Sequence, residues 1–260
     1  MHTEPLDAIP LWGLFLGAIV VFFLAVEGGY RLGLWRHVHV AEEKESPVGA
    51  MVGTILGLLA FLLAFTFGLA ATRFEERRHT VLEEANAIGT TYLRTRLLPE
   101  PQRTETARLL REYVDVRVRG VQEQKLSEAL ARSEELQELL WAQAVKAAEK
   151  TRDPITGLFI QSLNETIDVH AKRVLVGLRS RLPMSIWVGL FFLALLGMAS
   201  VGYQAGLSAT RRSPAMLGLV LAFAGVLFLI ADLDRGFEGF LSVNQQPMID
   251  LQKTMQAAKP

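Results

Sequence analysis

Val48-Gly-Ala-Met-Val-Gly-Thr-Ile-Leu-Gly-Leu-Leu-Ala-Phe-Leu-Leu-Ala-Phe-Thr-Phe-Gly-Leu-Ala-Ala-Thr72 runs for 25 residues without an Asp, Glu, Lys or Arg. A hydrocarbon core about 30 Å thick asks for roughly 20 helical residues, so this stretch is long enough to cross a bilayer. Three further windows share the property: Ala8–Val26 with 19 residues, Met184–Thr210 with 27 and Ser213–Ala231 with 19. The chain has 260 residues, 50% of them hydrophobic and 21% charged, so its apolar excess is gathered into these four places. Lipid offers the backbone no hydrogen bonds, and a continuous apolar run satisfies its own only as a helix. The sequence therefore predicts an all-α integral membrane protein with four transmembrane helices. A secretory signal has a basic start and a small-residue cleavage site. Here Glu4 and Asp7 precede the first window, and no Lys or Arg occurs before Arg31. That window is expected to remain as a span.

Composition also removes several classes of function. The 27 basic and 27 acidic residues cancel, so no global field favours nucleic acid. Cysteine is absent, which excludes disulfides, thiolate metal sites and cysteine nucleophiles. The chain carries no Walker loop, no dinucleotide glycine fingerprint, no Gly-x-Ser-x-Gly and no His-Glu-x-x-His. It is not expected to be an enzyme or to hold a cofactor. His79 and Glu83 have an i, i+4 spacing that can hold a metal, but no third ligand accompanies them, and no metal is expected. Asn164-Glu-Thr matches a glycosylation acceptor, meaningful only if that helix faces a secretory lumen.

Between the second and third windows lie Arg73–Leu182, with 19 Lys or Arg and 17 Asp or Glu. This composition predicts a helical aqueous domain inserted between spans two and three, with both spans continuing into it. The expected division is 1–72 for the first two spans, 73–182 for the aqueous domain, 183–232 for the last two spans and 233–260 for a C-terminal segment. Phe74, Val81, Ala85, Ile88 and Tyr92 keep helical spacing after span two, up to Pro99 and Pro101. A second helix is expected over Gln102–Gln122, although Val114-x-Val116-x-Val118 also fits a strand. A third is expected over Ser127–Lys150, capped by Ser127. The fourth opens at Asp153-Pro154, a capping carboxylate before a proline at the first helical position. Ile155, Phe159, Leu163, Ile167, Ala171, Val174 and Leu178 form its apolar stripe, and His170 within it reads as a packing histidine.

The second span is the most patterned segment. Gly49, Gly53, Gly57, Ala60, Ala64, Gly68 and Ala71 recur every three or four residues and lay a small-residue stripe along it. Such a stripe allows close helix approach in lipid, either against a neighbouring span or around a symmetry axis that encloses a path. Phe61, Phe65 and Leu69 lie at spacings of four. They face lipid or core, or they ring an axis as an apolar constriction that gates by dewetting. Glu27 closes span one, and Tyr30, Arg31, Trp35 and Arg36 follow it as an interfacial belt. Arg73-Phe-Glu-Glu-Arg77-Arg78 follows span two. It is read as a solvated face or as a set of cations at headgroups or a pore mouth. In Glu83-Glu84-Ala-Asn86-Ala-Ile-Gly89-Thr-Thr-Tyr-Leu-Arg94, Gly89 points to close approach of another helix, and Asn86 suits a polar interface position. After span four, Asp232-Leu-Asp234-Arg235 puts carboxylates against an unfavourable helix dipole, so they need partners such as Arg235. Gly236 and Gly239 are expected to form a turn.

The runs Arg73-Phe-Glu-Glu-Arg-Arg and Glu83–Arg94 with Leu97-Leu-Pro99 resemble a bacterial and plant membrane family described as bestrophin-like, as does Asp232-x-Asp-Arg-x-Phe-x-Gly-Phe with Gln246-Pro247. Bestrophins are four-span pentameric anion channels whose second span lines the pore and carries an apolar aromatic neck. The resemblance implies a homo-oligomer in a lipid bilayer, passing inorganic ions, with Phe61, Phe65 and Leu69 in the span that carries the neck. It does not extend to the calcium-binding acidic run of animal bestrophins, for which Asp232 and Asp234 are only a partial substitute. The charges flanking the spans nearly balance: Arg31, Arg36, Lys44, Arg211 and Arg212 on one side, and Arg73, Arg77, Arg78, Lys172, Arg173, Arg179 and Arg181 on the other. With the resemblance, they favour a multi-pass protein of a bacterial inner membrane whose termini and helical domain are cytoplasmic. The alternative function is a non-conducting membrane scaffold or signalling protein.

Overall fold

A computed structural model describes residues 9–39, 45–123, 125–150, 153–209, 214–235 and 239–257. Lys44, Arg211, Arg212 and Gly236, which enter the sequence reading, lie outside them. The elements are helices: α1 (Leu11–His39), α2 (Glu45–Thr95), α3 (Gln102–Gln122), α4 (Leu126–Lys150), α5 (Pro154–Val174), α6 (Met184–Leu207), α7 (Pro214–Asp234) and α8 (Gln246–Ala257). A π-helical turn, Leu175–Arg179, follows α5. Four helices are long and apolar enough to cross a membrane: α1, α2, α6 and α7. The chain divides into two compact units, one of residues 1–74 with 181–242 and one of residues 75–180 with 243–260.

The first unit packs α1, α6, α7 and the apolar part of α2 around Phe22, Leu59, Leu63, Ala194, Met198, Ala224 and Ile230. Helix directions follow from the contacts. Gly29 meets Ala199 and Gly33 meets Tyr203, so α1 and α6 run parallel. Gly49 meets the Gln204 side chain while Gly197 meets Ile55 and Leu56, so α2 runs against α6. Phe15 stacks edge-on against Phe228, and Arg235 reaches the Ile9 carbonyl at 2.7 Å, so α7 runs against α1. Successive spans thus alternate in direction, as successive crossings of one bilayer must. The closest approach is between α1 and α6. A Cβ added at Gly29, Gly33, Gly202 or Gly206 would overlap a backbone carbonyl of the facing helix. These two Gly-x-x-x-Gly pairs bring the backbones together in a medium where dispersion, not the hydrophobic effect, holds helices.

The second unit packs α3, α4, α5, α8 and the polar part of α2 around Ile88, Leu110, Tyr113, Leu136, Leu140, Phe159 and Leu163. Gly120 of α3 touches Ala129 of α4, and Gln137 bonds Tyr113 at 3.2 Å, so these two form an antiparallel pair. Asp153 caps α5, accepting from the Thr156 N–H at 2.7 Å with Pro154 in the first turn. Two expectations are corrected. Helix α4 begins at Leu126, which puts Ser127 inside its first turn instead of at the cap. The Val114–Val118 alternation lies in a helix, where Val114 and Val118 are buried a turn apart. The buried face of α5 holds Phe159 and Leu163, but also Thr156, Ser162, Thr166, His170 and Arg173, while Ile155 is exposed. That polar content answers what α2 presents to it.

Candidate functional site

Helix α2 divides its apolar stretch sharply. Val52, Leu59, Leu63, Thr66 and Ala70 are buried against the first unit's core. At 3.6 residues per turn the opposite side carries Gly57, Phe61, Ala64, Phe65 and Gly68. All five are exposed, Phe61 at 66% and Phe65 at 60%. A Cβ added at Gly53, Gly57 or Gly68 meets nothing within 4 Å. At the two ends of the small stripe, Gly49 meets the Gln204 side-chain amide and Ala71 packs on the core, whereas Ala60 and Ala64 are exposed. From Gly53 to Gly68 the stripe is therefore not packed against a neighbouring span among the described residues. Leu69 is half-buried and leans on the core. So Phe61 and Phe65 share the open face with the small residues, and Leu69 lies at its edge.

Past the apolar stretch, the Arg73–Arg78 run does not form one solvated face. Arg77 is 3% exposed, whereas Arg78 is open and pairs with Glu75 at 3.5 Å. His79 Nδ1 lies 3.2 Å from a Glu83 carboxylate oxygen. Among the described residues no three His, Asp or Glu come together in a way that could hold a metal. Asn86 is exposed, a Cβ added at Gly89 would stand 3.4 Å from a Leu251 methyl of α8, and Arg94 donates to the Leu158 carbonyl at 2.5 Å.

Glu84 is 0% exposed and is the polar centre of the second unit. Arg173 donates to its Oε2, the Arg117 Nε stands 3.1 Å from Oε1, and Tyr113 Oη lies 3.4 Å from the same oxygen. His170 Nδ1 is 2.8 Å from Tyr113 Oη and 3.6 Å from Glu84. One arrangement of protons satisfies the phenol: His170 and Gln137 donate to the Tyr113 oxygen, whose own proton goes to Glu84. Arg173 also donates to Gln245 Oε1 at 2.6 Å, which ties in the chain leading to α8. Burial alone would raise the Glu84 carboxyl, but the charges of Arg173 and Arg117 override it and hold it well below the usual carboxylate range. Burial, then the Glu84 charge, push the Tyr113 phenol above its ordinary value. Glu83, one residue away, is half-buried and lowered mainly by its hydrogen bond from Lys172, at 2.8 Å.

The closing motif holds backbone. Asp232 accepts from the N–H groups of Phe240 and Leu241 at 2.9 and 3.2 Å. Gly239, at φ +139°, leaves the room a Cβ would take from the Asp232 carboxylate. Asp234 accepts from the Leu182 N–H at 2.9 Å, just ahead of α6, and lies 4.0 Å from Arg181. Arg235 reaches back to the Ile9 carbonyl. A family model for the bestrophin-like domain matches residues 14–248.

The chain belongs to the bestrophin-like family.

It is similar in structure to bacterial bestrophin homologues from Klebsiella pneumoniae. A mutant form has a TM-score of 0.66 at 16% identity, with 95% of this chain and 96% of that one covered. A second structure, phased with zinc, has a TM-score of 0.60 at 16% identity over 94% of each chain. At this identity the likeness carries the fold alone. No curated protein matches the sequence. This is accordingly a bestrophin-like membrane protein. Tyr113, Arg117 and Arg173 are absent from the sequence reading as partners of Glu84, and Gln245 as a partner of Arg173. Arg117 could have been found, because it keeps helical phase with the apolar residues Leu110, Tyr113 and Val114 of α3. The glycine pairs of α1 and α6 also carry a signal, a four-residue spacing repeated in two spans.

Proposed function

We propose that the protein is one subunit of a homo-oligomeric ion-conducting path, selective for anions, with α2 lining it. The carrying observation is the open face of α2. It pairs small residues that permit close approach with Phe61 and Phe65, and none of the described residues covers it. In a ring of copies, Phe61 and Phe65, with Leu69 at their edge, form the apolar constriction, and Gly53, Gly57, Ala60, Ala64 and Gly68 set the distance between neighbouring α2 helices. Arg78, exposed just past the apolar stretch, supplies a cation at the mouth of the path, while Arg77 is buried on the other side of the helix. Glu84, Arg94, Asp232, Asp234 and Arg235 hold the scaffold and do not touch the permeant ion, and the exposed Asn86 is a polar interface position between copies. The helical unit is read as an aqueous domain inserted between spans two and three, cytoplasmic like both termini, in a bacterial inner membrane.

Flux from proteoliposomes tests the proposal. Purified protein is expected to release chloride, with a reversal potential that follows the anion gradient. Absence of flux for both halides and cations would leave a membrane scaffold as the function.

A further inference from the structure

We infer that the outer end of α1 is a binding site for the phosphodiester headgroup of a glycerophospholipid, built on Arg31. The inference rests on the chain lying in lipid and is independent of conduction. One side of α1, with Phe22, Val26, Gly29 and Gly33, is buried. The opposite side is an exposed apolar line of Leu16, Val20, Leu24, Trp35 and Val38. Arg31 falls on that line, between Leu24 and Trp35, with its side chain 78% exposed.

Depth follows from spacing. Tryptophan at the end of a span settles at headgroup level. Arg31 precedes Trp35 by four residues, or about 6 Å along the helix axis, on the bilayer side. A guanidinium there is desolvated on its lipid face and needs acceptors. Its Nε donates to Glu27 Oε1 at 2.8 Å, one turn deeper. That bond neutralises part of the charge and engages Nε, in a side chain that is 78% exposed. A guanidinium has five N–H groups, of which this bond uses one. Of the acceptors a bilayer offers near that level, ester carbonyls and phosphodiester oxygens, the phosphodiester is the anionic one, and the planar Nη edge of a guanidinium matches two of its oxygens at once. The clasp between Gly29 and Gly33 of α1 and Ala199 and Tyr203 of α6 keeps these turns of α1 in fixed orientation.

The test is native mass spectrometry of the purified, delipidated full chain. It is titrated with phosphatidylglycerol and with an uncharged galactosyl diacylglycerol of the same acyl chains. Wild type is expected to bind the phospholipid about five-fold more tightly than the glycolipid, the contribution of one arginine near a headgroup. Arg31→Gln is expected to lose that preference, and Arg119→Gln, on an exposed turn of α3 in the helical unit, to keep it. Equal binding of the two lipids by wild type, a measurement that needs no variant to fold, overturns the inference. So does an unchanged preference in Arg31→Gln.

Discussion

A carboxylate with no exposed surface persists only where its charge is met, and Glu84 meets two guanidiniums, a phenol and an imidazole. Glu84→Gln removes the single acid facing Arg117 and Arg173 and leaves both cations buried together. A loss of about 3–5 kcal/mol is expected, the usual cost of breaking a buried pair from one side, read as a lower melting temperature in detergent. The pH dependence has a definite sign. A carboxyl held below its unfolded value stabilises the fold above that value, and the stabilisation is lost as pH falls through the folded value. The gap in melting temperature between wild type and Glu84→Gln is therefore expected to hold from neutrality down to about pH 5 and to close only in stronger acid. This centre was poorly legible beforehand. Its members stand 33 and 89 residues from Glu84, and pairing across such separations leaves no local pattern. The Asp153 cap was legible for the opposite reason, since donor and acceptor lie three residues apart.

At the scale of elements, lipid made the spans readable: a stretch without charge long enough to cross a bilayer has few other uses. The partner of each helix face was not readable, because apolar residues look alike whether they meet a neighbour, lipid or another copy. The glycines separate these cases. Gly202→Ala places a methyl on the Val26 carbonyl of α1. It is expected to cost about 1–3 kcal/mol or more, as overpacking does, and to lower yield and melting temperature. Gly57→Ala has open space around it in the chain; it is expected to leave the melting of a dissociated subunit unchanged and to weaken self-association, checked by sedimentation in detergent. Helix α8 escaped the sequence reading because 12 residues do not sustain a helix alone. Burial of Met248 and Met255 anchors it, with Arg111 donating to the Met255 carbonyl at 3.1 Å. Met255→Ala is expected to destabilise the helical unit by about 2–5 kcal/mol, as other core truncations do.

For the whole molecule, the number of spans and the all-helical class follow from composition, and the alternation of span directions follows from the contacts within the first unit. On the proposed reading, the feature that turns a four-span subunit into a path is the face of α2 left uncovered by the described residues. Because the protein has no cysteine, that face can be mapped one residue at a time. Phe61→Cys, Phe65→Cys and Ala64→Cys sample the open side, Leu59→Cys and Leu63→Cys the buried side, and Val20→Cys the exposed line of α1. Each variant is reconstituted in liposomes and treated with a charged, thiol-reactive methanethiosulfonate while chloride release is followed. The account predicts that modification at positions 61, 64 and 65 changes the flux several-fold, and that positions 59, 63 and 20 do not respond. Flux that is indifferent to modification at 61, 64 and 65 would contradict it.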